Sequence, residues 1–297
     1  MSKQTHAEQF MQDGYLIARQ VFSASERARL RELAERIREK ACRELLPGMR
    51  YWTGNKGGVR TMSRDLQARA AWGINEITRP ELFEPELVNV WAHPGVHAMI
   101  HALLGPEPRA WGIKMLWTPT LADYNLGWHR DQLKRELYDW VHYKPAVQDH
   151  VQFNAALNRD NCFLVVPGSH RRPLTETEWQ AMEQDPTADL PGQVTAELEP
   201  GDILYMDAHA LHRGRSSVHD DRLTLHYSAQ AQWVPLKPWA TDENFDFLCS
   251  DAFIQQLAPD ARPFYQRLIT AERTEDAMAF VKAAAVAHGW QPSASDS

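Results

Sequence analysis

The spacing of apolar residues changes twice along the chain, near residue 109 and again near residue 235. Residues 4–12 carry a short helical pattern, and 14–17 read as a short strand. Ser23 and Glu26 have the spacing of a capping box, with Ser23 as N-cap. The helix behind them is predicted to run to about Leu46, because Leu30, Leu33, Ala34, Ile37 and Ala41 recur at helical spacing. Pro47 and Gly48 stop it. Helical pieces follow around 80–90 and over 94–104. From 109 the period drops to two: Trp111, Ile113, Met115 and Trp117 share one face of a strand and Lys114 the other. Further strands are expected at 126–132, 151–157, 162–166, 194–198, 203–206 and 222–230. Turn signals separate them, and an insertion capped by Thr175 and Glu178 is helical. From about 250 to 288 the pattern is helical again, and 291–297 read as disordered.

Helices therefore flank a β segment of many short strands, the signature of a sandwich or barrel. The helical parts, about 1–108 and 236–290, show no core of their own. The expectation is one domain over 1–297, mainly β with flanking helices, with its β core at about 109–235.

Composition narrows the class. At 297 residues and 43% hydrophobic, the chain can bury a large core. A net charge of -7 argues against non-specific nucleic-acid binding. Three widely spaced cysteines, Cys42, Cys162 and Cys249, exclude a disulfide scaffold and fit a reducing compartment. No signal peptide opens the sequence and no apolar run reaches membrane-spanning length, so the expected location is cytoplasmic. Residues 49–72 mix Arg50, Lys56, Arg60, Arg64 and Arg69 with Gly54, Gly57 and Gly58. They suit a long loop presenting cations to an anionic substrate, and equally an ordinary surface loop. His97 and His101 stand at i, i+4, but with no carboxylate nearby they read as part of a packed helix.

The chemistry concentrates at His129-x-Asp131. Two side chains two apart on a strand leave the same face, within reach of one metal ion. Two histidines and a carboxylate form the facial triad of non-haem iron oxygenases, which leaves positions open for other ligands. The third ligand comes from 203–214, where both His209 and His212 follow a strand. Geometry excludes neither, but Gly214 lets the chain turn just after His212 and return to Arg222. Arg222, Thr224 and His226 alternate on one face of the last strand, with Leu223, Leu225 and Tyr227 on the other. A buried guanidinium needs an anion, and a carboxylate co-substrate supplies one. A zinc hydrolase would want a glutamate beside the ligands as general base, and none is there.

The ordered set resembles the phytanoyl-CoA dioxygenase family. It comprises His129-x-Asp131, Val165-Val166-Pro167-Gly168-Ser169-His170, Gly201-Asp202, His212-x-Gly214 and Arg222-x-Thr224. Phe10-x-x-x-Gly14-Tyr15-Leu16 and Val21-Phe22-Ser23 fit the start of that family, so the likeness spans about residues 8–235. The resemblance implies a double-stranded β-helix (a cupin-like jelly roll) and an Fe(II)- and 2-oxoglutarate-dependent dioxygenase that consumes O2. It implies that His129, Asp131 and His212 bind iron. It also implies that Arg222 grips the distal carboxylate of 2-oxoglutarate, with Thr224 beside it and Lys114 as a further co-substrate ligand. Asp131 is retained, which favours hydroxylation over the halogenation of relatives that lose this carboxylate. One departure stands out: the usual Trp-x-Ala-Leu reads Asn154-Ala155-Ala156-Leu157 here. The substrate is expected to be a small molecule, with an acid, phosphate or thioester hinted at by the cations. Trp128, Tyr124, Trp117 and the 49–72 loop are candidates for lining its side of the pocket. The alternative reading is a metal-binding isomerase or a non-catalytic sensor on the same fold; a simple metal isomerase has no need of Arg222.

Overall fold

Period-two alternation from residue 109 onward builds two facing antiparallel sheets. In the computed structural model the described residues are 5–44, 46, 49–54, 66, 69–131, 149–232 and 245–274. The strands are β1 (Tyr15–Ala18), β2 (Tyr51–Thr53), β3 (Ala71–Ile74), β4 (Arg109–Trp117), β5 (Tyr124–Asn125), β6 (His150–Ala156), β7 (Asp160–Val165), β8 (Val194–Leu198), β9 (Ile203–Asp207), β10 (His212–Ser216) and β11 (Leu223–Gln230). The larger sheet has the order β1-β9-β6-β11-β4-β3-β2 and the smaller β5-β10-β7-β8. From β4 to β11 the chain crosses back and forth between the sheets, except at the β7–β8 pair, which lies within the smaller one, as in a double-stranded β-helix.

The two faces of the larger sheet differ in kind. Ile113, Met115, Phe153, Tyr205, Leu225 and Tyr227 point outward into a core shared with the helices. There Trp91 meets Phe153 and Tyr227 edge-on, and Phe153 stacks on Tyr227 at 4.6 Å. Helices α1 (His6–Asp13) and α2 (Ala24–Glu44) contribute Phe10, Leu33 and Ile37 to this core, and Arg262–Thr274 contributes Phe264 and Leu268. The opposite face points between the sheets. One end of that space is filled by Ala156, Phe163, Val165, Ala196, Leu204 and Met206. The rest is lined by polar residues and forms the site.

The motifs outside His129-x-Asp131 and His212 hold the sheets to the N-terminus. Gly14 ends α1 at φ +77°, and a Cβ there would lie 2.5 Å from the His170 ring, so the turn 167–170 seats against it. Gly168 N–H donates to the Asp13 carbonyl at 2.8 Å, and Ser169 Oγ accepts from Leu211 N–H at 2.7 Å. The fully buried Asp202 accepts from Arg19 at 2.7 Å, from Gln20 N–H at 2.8 Å and from Glu199 N–H at 2.9 Å.

Three expectations need correction. Of the strand expected at 126–132, the described residues 126–131 are not a strand: only an isolated bridge joins His129 to His212. Gly127 lies so close to Pro186 that a Cβ would sit 2.9 Å from its ring, and Trp128 N–H bonds the Pro186 carbonyl, which diverts the chain from a sheet partner. The 49–72 stretch is not loop throughout, since Tyr51–Thr53 and part of Ala71–Ile74 pair at the sheet edge; most of the remainder lies outside the described residues. The turn expected at 214–221 begins later, because His212–Ser216 is a strand between β5 and β7. The helical tail is found as Phe245–Leu248, Asp251–Ile254 and Arg262–Thr274. Residues 133–148 of the polar insertion that the sequence suggests at 133–149, and the 291–297 stretch expected to be disordered, fall outside the described residues.

Candidate metal centre and co-substrate cavity

His129 and His212 exchange backbone hydrogen bonds, each N–H to the other's carbonyl at 3.0 Å. Residues so opposed across an antiparallel bridge send their side chains to the same side. Their rings accordingly meet at 4.4 Å between centroids. Asp131, tied by its N–H to the Ala208 carbonyl at 2.8 Å, brings its carboxylate under both. Its oxygens lie 3.6 Å from His129 Nε2 and 3.8 Å from His212 Nε2. These are gaps, not hydrogen bonds.

The donor set fits a divalent metal. His129 Nδ1 is 2.8 Å from the Gly127 carbonyl and His212 Nδ1 is 2.8 Å from the Ala210 carbonyl. A carbonyl only accepts, so each Nδ1 carries the hydrogen and each Nε2 presents a lone pair toward Asp131. Gln152 donates to Asp131 Oδ2 at 2.9 Å and fixes that carboxylate. Burial and the neighbouring His129 push the His212 imidazole down to about 4, so it is neutral and ready to ligate. Burial opposes ionisation of Asp131, but His212, His129 and Lys114 outweigh it and hold the carboxyl well below its usual range.

Across the cavity, Arg222 is 5% exposed and already held on one side. Its Nε donates to Asp160 Oδ2 at 3.0 Å and its Nη1 donates to the Tyr124 hydroxyl. Thr224 Oγ donates to the same Asp160 oxygen at 2.5 Å, and Cys162 N–H donates to the other at 2.9 Å. Tyr124 stacks on Trp72 at 4.1 Å. Lys114 projects from β4 onto the cavity side, its ammonium 5.6 Å from the centre of the Trp52 ring. Burial lowers its pKa, and Asp131 pulls it back up.

Some candidates do not reach the cavity. Trp117 belongs to the helix-side core and donates to the Ala71 carbonyl at 2.9 Å. Trp128 packs behind the metal residues with Leu164, Leu174 and Leu211, under the Arg213 guanidinium. The His97 and His101 rings lie 4.3 Å apart, tilted by 37°, beside Phe264 on a packed helix face. His209 turns away from Asp131 into a second group with Asp149 and Asp207. Sequence reasoning missed Gln152 and Asp160, since neither lies in the motif it serves. The signal available for Asp160 was a carboxylate opening the strand before the 167–170 turn.

Residues 10–222 match the profile of the phytanoyl-CoA dioxygenase (PhyH) family, well over half of the chain. The chain belongs to that family. No curated protein matches it significantly. Among solved structures, EctD from S. alaskensis with bound Fe is 19% identical, with a TM-score of 0.55 over 76% of this chain and 75% of that one. HygX from Streptomyces hygroscopicus, with nickel and 2-oxoglutarate bound, is 17% identical, with a TM-score of 0.53 over 75% and 85%. SnoN, a non-haem alpha-ketoglutarate-dependent epimerase of nogalamycin biosynthesis, is 17% identical, with a TM-score of 0.51 over 76% and 82%. These likenesses establish the double-stranded β-helix that the family is expected to have. No helix among the described residues is long and apolar enough to cross a membrane.

Proposed function

We propose that the chain is an Fe(II)- and 2-oxoglutarate-dependent dioxygenase that hydroxylates a small organic substrate and releases succinate and CO2. The observation that carries this reading is the convergence of two lone-pair-bearing Nε2 atoms and one fixed carboxylate, with a buried arginine braced by Asp160 sharing their buried neighbour His226. Family membership and the iron and 2-oxoglutarate bound by EctD and HygX support it.

His129, Asp131 and His212 would hold iron on one side and leave the other coordination positions to the co-substrate and O2. The bound iron would supply the redox chemistry, coupling oxidative decarboxylation of 2-oxoglutarate by O2 to oxidation of a substrate C–H bond. Gln152 keeps Asp131 oriented. Arg222 would take the distal carboxylate through Nη2, the nitrogen not engaged by Asp160 or Tyr124. Thr224, whose hydroxyl is engaged by Asp160, supports that grip from behind.

Charge balance gives Lys114 its part. The Arg222–Asp160 pair is neutral as a unit. Two carboxylates of the co-substrate and Asp131 make three negative charges against two on the metal. Lys114 supplies the remaining positive charge inside the cavity, where an unbalanced one is costly.

The likeness to SnoN favours epimerisation as a second outcome on the same machinery. A plain metal isomerase has no use for the Arg222 cluster, and a sensor would bind 2-oxoglutarate without turning it over. The test is a co-product screen: metabolites are added to protein with Fe(II), 2-oxoglutarate and O2, and succinate is measured. A compound that raises succinate and gains one oxygen supports the hydroxylase; a stereoisomeric product instead supports the epimerase. Absence of any 2-oxoglutarate turnover, coupled or uncoupled, contradicts both.

A further inference from the structure

Between the metal residues and Arg222, the cavity wall is one row across three strands. His226 of β11 stands opposite Lys114 of β4 on one side and Asn154 of β6 on the other. The next row, Ser228 and Gln152, reaches Asp131 through the Gln152 amide. The row before it, Thr224 and Ala156, leads to Asp160 and Arg222. A dicarboxylate stretched from the metal to Arg222 therefore crosses the row of His226.

His226 is 9% exposed, and its Nδ1 is tied to Asn154 Oδ1 at 2.7 Å. Its Nε2 is buried with no hydrogen-bond partner. A buried ring nitrogen left unpaired is destabilising, so it calls for a ligand atom. Position 154 is also where the chain departs from the Trp-x-Ala-Leu pattern, and the amide in place of an indole is what gives the imidazole its brace.

We propose that His226, braced by Asn154, is a co-substrate-binding residue whose Nε2–H donates to a carboxylate oxygen of 2-oxoglutarate, with Lys114 opposite as counter-charge. This rests on the reading of the chain as a 2-oxoglutarate-dependent oxygenase. A carboxylate only accepts, so it selects the tautomer with hydrogen on Nε2. Nδ1 then accepts, and the Asn154 amide, turned over, supplies the N–H; its two ends are interchangeable in shape. A hydrocarbon at 154 can do neither.

Calorimetric titration of 2-oxoglutarate into anaerobic Mn(II)-loaded protein tests this, with Mn(II) affinity and Tm measured alongside. His226→Leu is expected to weaken 2-oxoglutarate by about tenfold, the loss of one charge-assisted bond, with Mn(II) affinity within about twofold. His226→Gln, which restores a donor, should recover most of it. Unchanged 2-oxoglutarate affinity in His226→Leu overturns the proposal. If that variant does not fold, Asn154→Leu carries the test: weakened binding supports the brace and unchanged binding overturns it. Wild-type protein that binds Mn(II) but not 2-oxoglutarate would remove the reading beneath the proposal as well.

Discussion

Ala208 separates two clusters built from the same residue types. Its carbonyl accepts from Asp131 N–H, while its chain neighbours Asp207 and His209 belong to the second group, with Asp149. In the first cluster both rings are anchored through Nδ1 to carbonyls, and both Nε2 atoms stop 3.6 and 3.8 Å short of the carboxylate. In the second, His209 Nε2 is hydrogen-bonded directly to Asp149 at 3.0 Å, and Asp207 accepts from His209 N–H at 2.8 Å. One arrangement holds lone pairs apart around a common point; the other has closed on itself. What distinguishes a ligand set from an ion pair here is that backbone carbonyls anchor Nδ1 of both rings in the first and of none in the second.

The largest effect should separate the clusters outright. Asp131→Ala should lower 2-oxoglutarate turnover by at least about a thousandfold, since it would remove a ligand of the proposed iron and its charge. Asp149→Ala should leave turnover within about tenfold and act mainly through stability, by about 1–3 kcal/mol for the buried His209 left behind. Comparable losses of turnover in the two would erase the distinction.

Next comes the cation that is already paired. Arg222→Ala should raise KM for 2-oxoglutarate by about 30- to 100-fold, the worth of a charge-assisted pair, without changing metal affinity. A variant with wild-type KM would mean that the guanidinium serves only Asp160. Lys114→Met should cost about tenfold in the same KM. An unchanged value there would mean that the charge is balanced by another group.

A smaller effect concerns acid. Burial opposes ionisation of Asp160, but Arg222, Thr224 and the Cys162 N–H hold its pKa below the ordinary 3.8. A depressed folded-state pKa contributes stability that is complete above the unfolded value and lost as pH falls through the folded one. Asp160→Asn should therefore have a lower Tm than wild type at neutral pH, and the two curves should converge below about pH 3.8. A constant offset would show that the charge of Asp160 is not what stabilises the pair.

How far these groups could be read beforehand follows from how they are encoded. His129, Asp131, His212 and Arg222 sit in short motifs in a fixed order, so the family and its β-helix were legible. Gln152, Asp160 and the Asn154–His226 pair act on groups 21 to 72 residues away, through sheet register that no local pattern carries. Trp117 was open to a better reading. The alternation that set Lys114 on one face of β4 already set Trp117 on the other, so both could not line one cavity. The 126–132 stretch was read as a strand from its composition, whereas contact with Pro186 decides its path.

The most direct test is an anaerobic Fe(II) titration of wild type, His212→Ala and His209→Ala, followed by addition of 2-oxoglutarate to each. The account predicts about one iron and a visible charge-transfer band in wild type and in His209→Ala, and loss of both in His212→Ala. Retained iron and band in His212→Ala, with their loss in His209→Ala, would contradict it and move the metal to the other cluster.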